Sequence, residues 1–168
     1  LEGCNIFAHT RKPNTEFEKK AEKISSKYNV VIKYVHFDLL NIEEIKSGIM
    51  SLIKTKIPID ILVNSAGIIH GGLFQMTAIQ TIKDIYSVNF FGMLEVTQLV
   101  SKYMIRKKGG SIINIASVAG IDLSSGNCAY GTSKAAVIAF SKTLSMSIML
   151  NLIRTSVCSS TVKAGRVK

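Results

Sequence analysis

Apolar residues fall into two alternating patterns along this chain. Short runs rich in β-branched side chains read as buried strands: Asn5 to Ala8, Val30 to Phe37, Ile59 to Val63, Ile112 to Ile115 and Ile153 to Cys158. Between them lie segments with helical periodicity. Thr15 to Lys27 is charged throughout, and Ile42 to Lys54 places Ile42, Ile45, Ile49, Leu52 and Ile53 on one side. Thr77 to Lys107 reads as a short helix running into a long one, and a last helix runs from Cys128 to Leu150. Strands alternating with helices of roughly ten residues or more imply right-handed βαβ crossovers. The pattern therefore predicts a parallel sheet covered by helices on both faces. No linker, internal repeat or low-complexity tract interrupts it, so the chain reads as one α/β domain.

Composition narrows this picture. At 168 residues and 47% hydrophobic content, the chain can bury a substantial core and is not a disordered segment. No apolar run approaches the ~18 residues that span a bilayer, and no charged-then-apolar leader opens the chain. Cys4, Cys128 and Cys158 are far apart, odd in number and without a C-x-x-C pair. They are expected to be buried free thiols in a reducing cytoplasm, with no metal site. The net charge of +10 is spread over helix faces, and its densest run, Arg106-Lys107-Lys108, closes a helix where cations complement the dipole. No nucleic-acid module or aromatic interleaving accompanies the charge, so nucleic acid is not the expected partner. A basic surface instead suits an acidic partner or a phosphorylated ligand.

The chemistry concentrates between Ser111 and Lys142. The strand there ends at Ser117, a Gly/Ser-rich loop runs from Gly120 to Asn127, and a helix begins at Cys128. On that helix Tyr130 and Lys134 are one turn apart and share a face. A phenol ionises near pH ~10, and an ammonium held beside it favours the phenolate, which suits proton transfer. A Tyr-x-x-x-Lys pair alone reads first as a snorkelling surface pair. Ser117, thirteen positions upstream at a strand end, turns the reading towards an active site.

Three further features belong with it. Asn64-Ser65-Ala66-Gly67 follows the Ile59 to Val63 strand, where an open α/β sheet places its ligand crevice. Its small residues allow close backbone approach to a ligand, or simply make a turn. Asp38 closes the second strand and aims a carboxylate at the same crevice edge; it could also cap the following helix, although Asn41 is better placed. Asn89, set among Val88, Phe90 and Phe91, is an amide that must find partners once buried.

Together these motifs resemble the classical branch of the short-chain dehydrogenase/reductase family, and within it the 3-oxoacyl-(acyl-carrier-protein) reductases. The resemblance implies a Rossmann-like doubly wound parallel sheet and reduction of a ketone to a secondary alcohol. Ser117 would polarise the carbonyl and Tyr130 would protonate its oxygen. Lys134 would lower the Tyr130 pKa and bind the nicotinamide ribose, and Asn89 would kink its helix and support a water relay. Asn64, Ala66 and Gly67 would pack beside the adenosine half of the cofactor, with Ser65 replacing the usual Asn, and Asp38 would bond the adenine amino group. Tyr130 and Lys134 thus count as cofactor contacts too. Thr10-Arg11-Lys12 carries no carboxylate to take a ribose 2′-hydroxyl, so Arg11 points to NADP over NAD unless this is only a solvated turn. The implied substrate is a small-molecule or acyl-carrier-bound carbonyl; sugars or small ketones are the alternative within enzymes. The Ser87–Lys107 and Cys128–Leu150 helices would form the subunit interface of a homo-oligomer.

The chain also departs from that family. The Thr-Gly-x-x-x-Gly-x-Gly turn that cradles the pyrophosphate does not occur, and Leu1-Glu2-Gly3 reads as the tail of the helix that would follow it. The fold is expected to lack its first βα unit, whose central strand would leave open ladder groups on both neighbours. Ser159-Ser160 stands where Pro-Gly is usual, and 159–168 is a tail without core pattern. The resemblance thus covers about positions 1–158, with the substrate loop and final strand missing. A catalytically dead remnant is the competing reading.

Overall fold

Asparagine side chains start two of the helices. Asn14 Oδ1 accepts the Phe17 N–H at 3.0 Å and opens α1 (Thr15–Tyr28). Asn41 Oδ1 accepts the Glu43 and Glu44 N–H groups and opens α2 (Ile42–Lys54). Glu44 reaches back to Asn41 Nδ2 at 2.9 Å, a reciprocal cap of the kind that terminates frayed helix ends. The computed structural model describes residues 3–122, 124–147 and 153–160. The expected Leu1-Glu2 stretch, the last turn to Leu150 and the tail from Thr161 lie outside them.

The strands are β1 (Ile6–Thr10), β2 (Ile32–His36), β3 (Ile61–Asn64), β4 (Gly110–Ser117) and β5 (Ile153–Ser160). The remaining helices are α3 (Ile79–Tyr86), α4 (Met93–Arg106) and α5 (Cys128–Ser147). Between α3 and α4 the chain keeps winding through a π-helical turn, Ser87–Gly92. Every described strand pairing is parallel, and the helices form the crossovers.

The open ladder groups expected beside the central strand lie on β1 and β3: β1 pairs with β2, while β3, β4 and β5 pair in that order as a second group. Among the described residues β1 and β3 each pair on one side only, so no ladder joins the halves. A shared core does. Phe37 after β2, Ile45, Ile49 and Leu52 of α2, Val96, Val100 and Met104 of α4, Ile112 of β4 and Ile153 of β5 form one buried cluster. Apolar burial thus holds together what backbone pairing does not.

Coverage differs between the halves. On the β1–β2 half, α1 packs one face, where Phe17 meets Tyr34 edge-on and the Tyr34 hydroxyl donates to Glu18 O at 3.3 Å. The opposite face carries α2. Over β3 the described residues cover only the α4 side; Ile61 and Val63, which point the other way, are 55% and 53% exposed. The cysteines depart from expectation as well: Cys4, Cys128 and Cys158 are all exposed. Cys128 sits at the first position of α5 and Cys4 ahead of β1, where no packed layer reaches them.

A buried amide ladder fixes the second sheet to its helices. Asn64 and Asn114 are register partners, and Asn64 Nδ2 donates to Asn114 Oδ1 at 2.8 Å and to Thr97 Oγ1 of α4 at 2.9 Å. Asn114 Nδ2 in turn donates to Ser141 Oγ of α5 at 2.8 Å. Asn114 is wholly buried, so truncating it strands two polar partners without water. Asn114→Ala is expected to cost about 2 kcal/mol, which lowers Tm by roughly 4–8 °C in a chain of this size. A thermal unfolding scan matching wild type would show that the ladder is not structural.

Candidate active site

β4 delivers Ser117 to the strand end as expected. The side chain is buried, and its Oγ accepts the Ala119 N–H at 3.2 Å, capping a short 3₁₀ turn, Val118–Gly120. No acceptor for the Ser117 hydroxyl proton is present among the described residues. That turn lies directly on α5: a Cβ on Gly120 would sit 2.7 Å from the Ala135 backbone nitrogen, a distance no side chain tolerates. Only glycine lets the end of β4 approach α5 this closely.

On α5, Tyr130 and Lys134 are both buried, and the Lys134 ammonium lies 6.0 Å from the centre of the Tyr130 ring. Lys134 Nζ donates to Ile115 O of β4 at 2.9 Å. That bond uses one of three ammonium protons. No other partner for Nζ, and no hydrogen bond to the Tyr130 hydroxyl, is present among the described residues. Burial pulls the Lys134 pKa below its ordinary value. Two ammonium protons and the phenol hydroxyl are thus without a partner among the described residues, on the helix that packs against the end of β4.

Asn89 sits in the π-helical turn, 2% exposed, and every polar atom of its side chain is satisfied. Oδ1 accepts the Ile68 N–H at 2.8 Å, while Nδ2 donates to Ile68 O at 3.0 Å and to Ser133 Oγ at 3.1 Å. It therefore ties the loop after β3 to α5. Gly67 occupies the seam: a Cβ there would lie 3.1 Å from Asn89 Oδ1 and 3.5 Å from Lys134 Nζ. Ser117, Tyr130, Lys134, Asn89 and Gly67 thus converge on one region.

The remaining predicted residues are placed differently. Both Asn64 amide hydrogens are donated to Thr97 and Asn114, so the side chain has no donor left for a ligand. Ala66 is exposed in the loop beside Gly67. Asp38 accepts the Leu40 N–H at 2.9 Å, and Asn41 rather than Asp38 caps α2. Arg11 is exposed at the end of β1 in a turn shaped by Thr10, whose hydroxyl donates to Lys12 O at 3.0 Å. With that proton spent, the 2.9 Å contact between His36 Nδ1 and Thr10 Oγ1 is a bond donated by the imidazole. Sequence reasoning missed Ser133, which is fully buried between Asn89 and α5, and Asn114. The asparagine interrupting an Ile-rich strand was a visible signal for Asn114; nothing marks Ser133 among the serines of α5.

An unpaired buried ammonium costs stability. Its depressed pKa means that, in the window below the ordinary value of 10.5, the unfolded chain binds more protons than the folded one. Stability then rises with pH across that window. Lys134→Met, which keeps the length and removes the charge, is expected to raise Tm at pH 7, with the advantage shrinking as pH approaches 10. A lower Tm at pH 7 would show that the bond to Ile115 outweighs desolvation.

Comparison with known proteins places this arrangement in a family. The model of the family described as short chain dehydrogenase matches residues 1–166. The chain is 37% identical over 124 residues to a 3-oxoacyl-[acyl-carrier-protein] reductase of Aquifex aeolicus, covering 74% of this chain and 50% of that protein. It thus spans about half the length of this curated relative. Among solved structures it resembles a gluconate 5-dehydrogenase from Burkholderia cenocepacia in complex with NADP and tartrate, with TM-score 0.85, 24% identity and coverage of 95% of this chain and 62% of that one. It also resembles an NAD+-bound xylitol dehydrogenase, with TM-score 0.81, 29% identity and coverage of 88% and 57%. The parallel α/β architecture and the whole-length family match agree, and the chain belongs to the short-chain dehydrogenase family.

Proposed function

We propose that this chain carries the proton-transfer half of an NADP-dependent oxidoreductase that reduces a ketone to a secondary alcohol. The observation that supports it best is the unspent donor set: the Ser117 proton, the Tyr130 hydroxyl and the Lys134 ammonium, buried together at the end of β4. Ser117 donates to a carbonyl oxygen and polarises it. Tyr130 supplies the proton that the oxygen takes up, and the ammonium one turn away offsets the negative charge left on the phenol. The two free Lys134 protons suit a ribose diol, and the glycine seam at Gly67 allows a ring to lie against the backbone.

NADP, when bound, supplies the hydride. The residues present fit its two ends and not its middle: Ser117, Tyr130, Lys134 and Gly67 suit the nicotinamide ribose, while Asp38, Ala66, the backbone of Asn64 and the Arg11 turn suit the adenosine. The described residues contain no glycine-rich turn for the pyrophosphate. Arg11 with Lys12, and no carboxylate beside them, favours the 2′-phosphate. A carrier-bound 3-oxoacyl group is the first substrate, in keeping with the Aquifex relative. Three exposed, unpaired thiols suit a reducing compartment such as the cytoplasm.

NADPH fluorescence titrated with this chain is expected to saturate, more tightly than NADH, and Arg11→Glu is expected to erase that preference by about tenfold or more. Tyr130→Phe is expected to bind NADPH as wild type does while losing about 100-fold or more in ketone reduction. The open edges of β1 and β3 favour a second reading, a remnant that no longer binds nucleotide, and a titration without saturation would establish it. The α4 and α5 faces are proposed to pair in a homo-oligomer. Phe91 is 59% exposed there, edge-on to Phe90, which meets Phe140 of α5. Sedimentation velocity is expected to show a dimer or larger; a monomer at all concentrations removes that interface.

A further inference from the structure

Ser133 is fully buried on α5, between Tyr130 and Lys134, and has no place in the proton transfer described above. Its single hydroxyl proton is donated to Tyr130 O at 2.7 Å. A serine with its proton spent can only accept at its other contact. The 3.1 Å bond to Asn89 therefore runs one way, from Nδ2 to Oγ, and the Asn89 nitrogen must face α5. The oxygen then faces the Ile68 N–H and the seam at Gly67. The donor chain runs Asn89 to Ser133 to the Tyr130 carbonyl and crosses from the π-helical turn into the turn of α5 that holds the reactive pair.

We infer that Ser133 is a positioning residue, holding α5 at a set depth against Asn89 so that Tyr130 and Lys134 keep their place beside the loop after β3. Three observations support this besides the bonds. Asn89 is also bonded at both amide groups to Ile68, so it is a rigid post rather than a mobile side chain. Lys134 Nζ and Asn89 Oδ1 flank the same point above Gly67, so movement of α5 relative to Asn89 opens the wall beside the ammonium. Farther along α5, Ser141 donates to Val137 O and accepts from Asn114 in the same manner, so the helix is fastened at two levels, to the post and to β4. A serine bonded to its own helix only would relieve no other element and would have no reason to be oriented.

This inference relies on the oxidoreductase reading only in calling the pair reactive, and it is tested without nucleotide. In the ¹⁵N-labelled chain, exchange of the Asn89 side-chain amide and the titration midpoint of Lys134 Nζ are followed by NMR in wild type, Ser133→Ala and Ser133→Cys. Ser133→Ala is expected to speed Asn89 exchange about tenfold or more, the loss of one buried hydrogen bond. It is also expected to move the Lys134 midpoint back towards the ordinary lysine value as water reaches the ammonium. Ser133→Cys, close in volume with a weak acceptor, is expected to fall between the two. An alanine variant that matches wild type in either readout overturns the inference, as do equal displacements in the alanine and cysteine variants, which would mark a loss of fit. If the alanine variant does not fold, the cysteine variant alone decides: both readouts must move in the stated directions. The nucleotide titration fails or succeeds separately, so the two readings can be told apart.

Discussion

The bond from the Lys134 ammonium to the Ile115 carbonyl is the constraint around which the second half of the molecule is arranged. A buried cation with no carboxylate beside it is costly, and a main-chain carbonyl repays only part of that cost. Its position can be held only if the surrounding packing leaves no better place for it. α5 must lie close enough to β4 for the side chain to reach, which requires glycine at position 120. It must also be held at the right height, which the serines at 133 and 141 supply. Stability is thereby exchanged for a dry, charged surface with unspent donors, the usual balance at sites built for chemistry.

Much of this could be read from the residues. The caps of α1 and α2 are local chemistry, and Asn14, Asn41 and the acidic first turns declare themselves in sequence. The spacing of Tyr130 and Lys134, with Ser117 upstream, marked three residues that the structure buries, because a helical turn and a strand end are both short-range geometry. The burial and full satisfaction of Asn89 followed from an amide set among large apolar neighbours. Which groups it would bond, and that its helix would widen into a π turn to hold it, depend on a loop twenty-one residues away and were not legible.

Where the reading failed, the cause was tertiary. Cys4, Cys128 and Cys158 read as buried thiols, yet all three are exposed, because their neighbours in the chain do not say which layers reach them. Alternation in β3 marks Leu62 as inward, yet Ile61 and Val63 are equally apolar, and their exposure follows from no described layer lying over them. Asn64 has a second role that its motif does not show. Both of its amide hydrogens bond within the fold, to Thr97 of α4 and to Asn114, a partnership set by the Asn64–Asn114 register and invisible along the chain.

The two open edges have a consequence for how the molecule behaves in bulk. Parallel strands with vacant ladder groups and half-bared Ile61 and Val63 invite lateral association between molecules. What opposes it is the excess of +10 on each chain, a mutual repulsion whose reach falls to ~8 Å at physiological ionic strength. Colloidal behaviour is thus governed by electrolyte rather than by the fold. Added salt removes the repulsion while leaving the apolar edges as sticky as before, so these molecules are kept apart best in dilute buffer.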